Sequence, residues 1–181
     1  GETMLTALDG DMYGNRWRDA RPDVTGKAGN VTRWLDHCKN LVPNEAELEH
    51  IFNVMAYKVQ NPKIKINHAI LHGGDQGAGK DTMYAPFIWA VCGPHFKNRG
   101  YIDNDSMNSQ FGYALECEIL VLNELKETDA RERRALANKL KPIIAAPPET
   151  LSINRKGLHP YDMVNRLFVL AYSNDPVPIQ L

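Results

Sequence analysis

The stretch GGDQGAGKDT, residues 73–82, decides the fold of this chain. It follows the apolar run Ala69-Ile70-Leu71 and precedes a second apolar run, residues 83–91. A strand, a glycine-rich turn and a helix in this order build a phosphate cradle. Glycines let successive backbone N–H groups converge on one anion, and the helix N-terminus adds partial positive charge. We therefore predict that this turn binds a nucleoside triphosphate.

The turn departs at one position from the pattern G-x-x-x-x-G-K-[ST]. Residues 74–80 fit it, but Asp81 stands where a hydroxyl residue normally holds Mg²⁺, and the hydroxyl follows at Thr82. An aspartate can still serve Mg²⁺ as an oxygen ligand, directly or through water. The alternative is a glycine-rich turn without a ligand. The residues expected to bind ATP are Gly74, Gln76, Gly77, Ala78, Gly79, Lys80, Asp81 and Thr82.

The composition is that of an ordinary globular protein of one compact domain. The chain has 181 residues, 21 Lys and Arg against 22 Asp and Glu, and a net charge of −1. This balance gives no overall bias toward nucleic acid, although it is compatible with a local basic channel. The three cysteines form no C-x-x-C pair, so we expect free thiols rather than zinc or disulfides. No apolar run is long enough for a membrane span, and we expect a cytoplasmic protein.

We divide the chain into two parts. Residues 1–62 are expected to hold an irregular N-terminal segment, residues 1–30, and a helical lead-in. Residues 31–38 look like a short helix, and Asn44 caps a longer one that Asn61-Pro62 ends. One face of the longer helix is expected to carry Leu48, Ile51, Phe52, Met55 and Val59.

Residues 63–181 are expected to form a P-loop ATPase core. Three apolar runs, residues 66–71, 119–122 and 167–171, have the character of buried strands. The intervening segments favour helices, with a kink or irregular turn at Pro86 and a helix end at Pro142. This alternation predicts an α/β sheet with helices on both faces.

Polar residues follow the second and third of these strands. Glu124 is the candidate general base for an attacking water, and Asn123 is a weaker candidate for holding Mg²⁺ through water. Asn174 can hydrogen-bond the γ-phosphate or the attacking water, because the carboxyl ends of parallel strands meet at one edge of the sheet. The alternatives are that Glu124 only caps a loop and that Asn174 only starts a turn.

Residues 149–166 have the pattern of a hairpin with a basic tip. Arg155, Lys156 and His159 lie near that tip, where an exposed positive charge suits a phosphodiester backbone. A solvated hairpin, charged only for solubility, is the alternative.

The order of these four motifs resembles that of the superfamily 3 helicases. The likeness is closest to the helicase domain of phage and plasmid primase-helicase proteins, and it includes the helical lead-in at residues 34–62. It implies an AAA+-like P-loop sheet with flanking helices, ATP and Mg²⁺ as cofactors, and a ring, usually a hexamer, around single-stranded DNA. Carried over by position, Lys80 binds phosphate, Glu124 activates water, Asn174 senses the γ-phosphate, and Lys156 with His159 grips DNA.

Two departures from the family are visible. Asp81 replaces the usual hydroxyl residue and Asn123 the usual metal-side aspartate, which changes how Mg²⁺ would be held. An arginine that reaches the neighbouring subunit's nucleotide is not visible, and such a residue can be worth ~10³–10⁵ in rate. We expect the chain to be a fragment of a longer replication protein, with a fused primase-polymerase domain elsewhere and weak ATPase activity on its own.

Two other functions fit the phosphate loop. A P-loop nucleotide or small-molecule kinase would use Arg131, Arg133 and Arg134 as part of a lid. A non-catalytic module would use nucleotide binding only to control assembly.

Overall fold

The computed structural model describes residues 5–8, 11–14, 19, 21, 26, 28–94, 98–102, 114–123, 130–145, 149–154 and 159–174. The elements in chain order are β1 (Leu5–Leu8), β2 (Asp11–Gly14), α1 (Thr32–Leu41), α2 (Glu45–Gln60), β3 (Ala69–Gly73), α3 (Lys80–Cys92), β4 (Arg99–Ile102), β5 (Ile119–Leu122), α4 (Ala130–Ile144), β6 (Thr150–Ile153), β7 (Tyr161–Val164) and β8 (Phe168–Ser173).

A four-stranded parallel sheet organises the molecule in the order β3-β8-β5-β4. The strand that enters the phosphate loop, β3, therefore lies next to β8, and β8 separates it from β5. The pairing of β3 with β8 runs from Ala69 opposite Val169 to Gly73 opposite Ser173. Both strands consequently end at the same level, at the edge where the loop begins.

Both faces of the sheet are covered. Alternate sheet residues such as Ile70 and Leu170 pack with α1, α2 and α3, whereas Leu122 and Val169 pack with α4 and β6 on the other face. Strands β5 and β8 are buried along their whole length, because helices or a hairpin shield each side. The expected α/β sheet with both faces covered is confirmed.

The lead-in helices form largely as expected. The side chain of Asn44 accepts hydrogen bonds from the backbone N–H groups of Ala46 and Glu47, so it caps α2. The prediction of the buried face of α2 was wrong at the last turn of the helix, since Val59 is 40% exposed whereas Lys58 is completely buried. Lys58 is buried because it donates to backbone carbonyls outside the helix, and the spacing of apolar residues along α2 does not indicate this contact.

Two further expectations were wrong. Residues 5–8 and 11–14 are not irregular but form the antiparallel pair β1 and β2. Helix α4 does not end before Pro142, because Ile143 is buried and its packing holds the last turn. Helix α3 contains Pro86, as the sequence predicted, and the kink expected there stays a prediction. A proline costs one helical hydrogen bond, and tertiary packing can offset that cost.

Strand β4 was not foreseen, and its sequence explains why. A short segment that contains Arg99 and Gly100 lacks the apolar character of the other strands. Gly100 is needed there because a Cβ would lie 2.1 Å from the Ala114 carbonyl oxygen. This close approach of two backbones fixes the edge strand against the segment that precedes β5.

In the described parts of the chain, every helix is too short or too polar to cross a bilayer.

Candidate nucleotide-binding site

The predicted phosphate loop, residues 74–79, joins β3 to α3 and takes its shape from three glycines. Gly74, Gly77 and Gly79 have φ angles of 149°, 79° and 90°, a region that L side chains rarely adopt. Gly79 occupies the position before α3, so the loop leads directly into the helix N-terminus. The loop thus combines backbone conformations that favour glycine with the positive end of a helix dipole.

The side chain of Lys80 folds back into this loop and is 9% exposed. Its Nζ donates to the carbonyl oxygens of Gly74 at 2.5 Å and Asp75 at 2.9 Å, and to Asn174 Oδ1 at 3.1 Å. All three N–H groups of the ammonium therefore have protein acceptors. The structure brings together the lysine and the asparagine that the sequence marked as site residues.

The pairing of β3 with β8 explains why Lys80 and Asn174 meet. The ladder continues beyond the last strand pair, since the Gly74 N–H donates to the Ser173 carbonyl oxygen at 3.1 Å. Asn174 follows directly, at the level where the loop turns away from the sheet. Its amide is thereby held beside the first turn of α3.

A buried polar cluster beneath the loop was missed by sequence reasoning. His72 Nδ1 and Tyr84 Oη lie 3.0 Å apart, with the two rings edge to face. His72 is paired with Tyr172 across the sheet, and burial together with the nearby Lys80 ammonium lowers the pKa of His72. The imidazole therefore stays neutral at physiological pH and adds no second charge beside Lys80. No local sequence signal marks this cluster.

The helix α1 also contacts the loop, through His37. Its Nε2 lies 2.9 Å from the carbonyl oxygen of Gly79, although the two residues are 42 positions apart in sequence. Sequence reasoning placed His37 only in the lead-in helix and gave it no role. A contact over such a separation leaves no pattern in the sequence.

The other predicted residues of the loop and of the first turn of α3 are exposed, whereas Asn123, directly after β5, is not. Gln76 and Ala78 are exposed in the loop, and Asp81 and Thr82 are exposed in the first turn of α3. Asn123 is half-buried, and its N–H donates to the Ile102 carbonyl oxygen at 2.8 Å.

The DNA-binding and lid predictions fall mostly outside the described residues. His159 is exposed just before β7. Glu124, Arg155 and Lys156 lie outside the described residues, as do the side chains of Arg131 and Arg133. The part of the hairpin that is described, β6 paired with β7, has the antiparallel form that the sequence predicted.

Within the described ranges, no cluster of three or more His, Cys, Asp or Glu side chains is arranged to hold a metal. The three cysteines, Cys38, Cys92 and Cys117, are buried free thiols, as expected. Mg²⁺ in nucleotide sites usually binds one or two carboxylates together with substrate phosphates. Asp81 and Thr82, exposed in the first turn of α3, carry side-chain oxygens of the type that Mg²⁺ prefers.

The chain is similar to proteins of one phage. It is 27% identical over 167 residues to the DNA primase-polymerase of Nitratiruptor phage NrS-1, an alignment that covers 89% of this chain and 22% of that protein. The chain thus spans less than a quarter of that relative.

Solved structures of the NrS-1 C-terminal region share the fold. The apo structure of residues 305–718 has a TM-score of 0.80 at 22% identity and matches 99% of this chain and 42% of that one. A second apo structure, described as the A form, has a TM-score of 0.77 at the same identity and coverage. A family model described as a family of unknown function, DUF5906, matches residues 71–180, from strand β3 through β8. The chain belongs to this family, DUF5906, whose match contains the phosphate loop and Asn174.

Proposed function

We propose that this chain is the ATP-hydrolysing core of a phage DNA replication protein, a helicase motor of the superfamily 3 type that moves on single-stranded DNA as a ring. The observation that carries the proposal is the contact of the Lys80 ammonium with Asn174, 3.1 Å apart at the mouth of a glycine loop. The similarity to a DNA primase-polymerase supports a role in replication. We also propose a hexamer in the full-length protein and a primase-polymerase domain elsewhere in it.

The donor set of the loop fits a triphosphate. The ammonium of Lys80 is shared among neutral oxygens of Gly74, Asp75 and Asn174. Phosphate oxygens are anionic, and charge-assisted hydrogen bonds to them are roughly twice as strong as neutral ones. Lys80 would therefore exchange these partners for phosphate, and the N-terminus of α3 would add its dipole to the same anion.

Asn174 gains a role from this exchange. The contact with Lys80 uses only Oδ1 of the amide, the atom that accepts. Once Lys80 binds phosphate, Oδ1 would be able to accept from an attacking water, while Nδ2–H would donate to the γ-phosphate. Asn174 thus reports, at the end of β8, whether the terminal phosphate is present.

The remaining roles follow the positions of the motifs. Asp81, Thr82 and Asn123 would hold Mg²⁺ through water, and the ion would neutralise charge on the phosphates when bound. Glu124, after β5, would accept the proton of the attacking water. At the hairpin, Arg155, Lys156 and His159 would contact phosphates of the DNA backbone. Such contacts do not depend on the base sequence.

The proposal is tested by ATP turnover of this chain with and without single-stranded DNA. We expect slow hydrolysis that single-stranded DNA stimulates and that Lys80→Ala abolishes. Turnover that Lys80→Ala leaves undiminished, or transfer of phosphate to a nucleoside monophosphate in place of hydrolysis, would contradict a helicase motor.

The DNA contact is tested separately by a matched pair of lysine variants. Lys156→Ala should weaken single-stranded DNA binding and reduce its salt slope by about one unit, because one phosphate contact is lost. Lys63→Ala, at an exposed lysine outside the hairpin, is the control. Equal DNA affinity of the two variants would remove the hairpin from the DNA site.

A further inference from the structure

Helix α1 is bonded to the start of α3 at two places one turn apart. His37 Nε2–H donates to the Gly79 carbonyl oxygen at 2.9 Å, and Trp34 Nε1–H donates to the Met83 carbonyl oxygen at 3.0 Å. Because a carbonyl oxygen only accepts, Nε2 of His37 must carry the hydrogen. We call this pair of side chains, Trp34 and His37, the α1 clasp.

The clasp lies against the hydrophobic core. The Trp34 ring packs against Phe52 of α2 with ring centroids 5.5 Å apart, and Cys38, next to His37, is completely buried in the same core. Packing against Phe52 therefore orients the Trp34 donor, and the half-buried His37 lies next to a buried residue of the same helix. Movement of the Gly79 peptide relative to α1 would break the bond to His37.

Space around Gly79 is filled by the same imidazole. A Cβ at Gly79 would lie 2.7 Å from Cε1 and 2.9 Å from Nε2 of His37, and the φ angle of +90° already disfavours a side chain. The last residue of the phosphate loop is thus held both by a hydrogen bond and by direct contact with the His37 ring.

The His37 bond helps to set the orientation of one peptide, the one that joins Gly79 to Lys80. In a planar trans peptide, the C=O of Gly79 and the N–H of Lys80 point in opposite directions. The Gly79 carbonyl oxygen accepts from His37 Nε2–H at 2.9 Å and from the Met83 N–H, within α3, at 3.2 Å. The two bonds together direct the Lys80 N–H away from that carbonyl. That N–H is one of the first donors of α3 that has no partner within the helix.

We infer that His37 is a positioning residue for the phosphate loop and that it couples the lead-in helix to nucleotide affinity. This inference rests on the proposed function, because it assumes that the loop binds a triphosphate. His37 holds, together with the Met83 N–H, the carbonyl of the peptide whose N–H faces the anion. By reciprocity, a bound triphosphate stabilises the α1 clasp as much as the clasp favours binding.

The test compares three variants of α1 in this chain. His37→Phe keeps a ring but removes the donor, His37→Gln restores a donor, and Lys39→Ala changes an exposed residue of the same helix. Two quantities are measured: amide hydrogen exchange of residues 74–82 in the free protein, and the affinity for ATPγS with Mg²⁺.

We expect His37→Phe to speed exchange in residues 74–82 and to weaken ATPγS binding by about 3- to 10-fold, the loss of one neutral hydrogen bond. His37→Gln should recover most of both effects, and Lys39→Ala should match the wild type. Exchange that rises equally throughout the protein, or binding that His37→Phe leaves unchanged, would overturn the inference.

The two readouts separate this inference from the proposed function. If the wild type does not bind ATPγS while His37→Phe still speeds exchange of the loop, the proposed function fails and the control of the loop by His37 stands. If ATPγS binds and neither readout depends on His37, the proposed function stands and His37 has no positioning role.

Discussion

Lys80 Nζ lies 3.1 Å from Asn174 Oδ1, a hydrogen bond that joins the first residue of α3 to the end of β8 across 94 positions of sequence. The same ammonium also donates to two carbonyl oxygens of the loop. With all three N–H groups used, a triphosphate has to displace at least one protein acceptor. The affinity for nucleotide should therefore depend on how strongly Asn174 competes for Lys80.

Substitutions at Asn174 test this competition. Asn174→Asp places a carboxylate beside Lys80, which forms an ion pair and repels phosphate, so ATPγS affinity should fall by about 10-fold. Asn174→Ala removes a competitor and should change affinity by less than about 3-fold, while hydrolysis falls more than binding. Titration with ATPγS and steady-state turnover separate the two effects.

Asn53→Asp, an exposed change on α2, controls for the added negative charge. An Asn174→Asp variant that binds ATPγS as tightly as Asn53→Asp would show that the Lys80 contact does not oppose nucleotide binding.

Alanine substitutions at two loop glycines differ in one physical respect. Gly77 and Gly79 both have positive φ, 79° and 90°, but only Gly79 has an atom within 4 Å of a built Cβ, in the His37 ring. Gly77→Ala should cost about 1–2 kcal/mol of unfolding free energy, the penalty for the left-handed conformation. Gly79→Ala should cost more, and chemical denaturation measures both.

The excess cost at Gly79 should shrink when the ring is removed. In a double-mutant cycle, Gly79→Ala with His37→Ala should be less destabilising than the sum of the single changes. If the changes in the free energy of unfolding are additive, the His37 ring moves aside without cost, and its contact with the new Cβ does not destabilise the protein.

Lys58 is a buried cation that holds three chain segments together. Its Nζ donates to the carbonyl oxygens of Pro62, Ile64 and Arg166 at 2.8, 3.1 and 2.7 Å. Lys58→Met leaves these carbonyls without that donor and should lower the free energy of unfolding by on the order of 2–4 kcal/mol. The exposed Lys63→Met change is the control, measured by urea denaturation.

The same residue gives a pH dependence with a definite sign. Burial lowers the pKa of Lys58 to about 8 from 10.5, so the unfolded chain binds more protons than the native one between these values. Stability relative to Lys58→Met should therefore rise as pH increases from 8 to 10.5. A difference that is flat or falls over this range would contradict a depressed native pKa.

Loss of the hydroxyl should change the stability of the protein differently at two buried tyrosines, Tyr84 and Tyr172. Tyr84→Phe removes the partner of His72 and should destabilise by about 1–2 kcal/mol. Tyr172 Oη has no hydrogen-bond partner among the described residues, so Tyr172→Phe should be neutral or slightly stabilising. Thermal melting of both variants tests this, and equal destabilisation would mean that Tyr172 has an important partner.

The sequence predicted those features that depend on local pattern. Strand, glycine loop and helix around Lys80 form a contiguous signal, and Asn44 caps α2 as its position indicated. The nearness of Asn174 to the loop followed from the rule that parallel strands end at one edge. These parts needed no knowledge of how distant segments pack.

The features that the sequence did not predict depend on contacts between distant segments. On the last turn of α2, Lys58 is buried and Val59 is exposed, because Lys58 donates to carbonyls outside the helix, including that of Arg166. The spacing of apolar residues does not indicate such a contact. The bond from His37 to Gly79 spans 42 positions and leaves no motif. Gly100 marks an edge strand only because the Ala114 backbone lies against it.

The most direct test of the central claim is calorimetric titration of the wild type and of Lys80→Ala with ATPγS and Mg²⁺. We expect saturable binding by the wild type and a loss of affinity of about 30-fold or more in Lys80→Ala, because the charged donor to the phosphates is gone. Equal affinity of the two proteins, or no binding by a folded wild type, would contradict it.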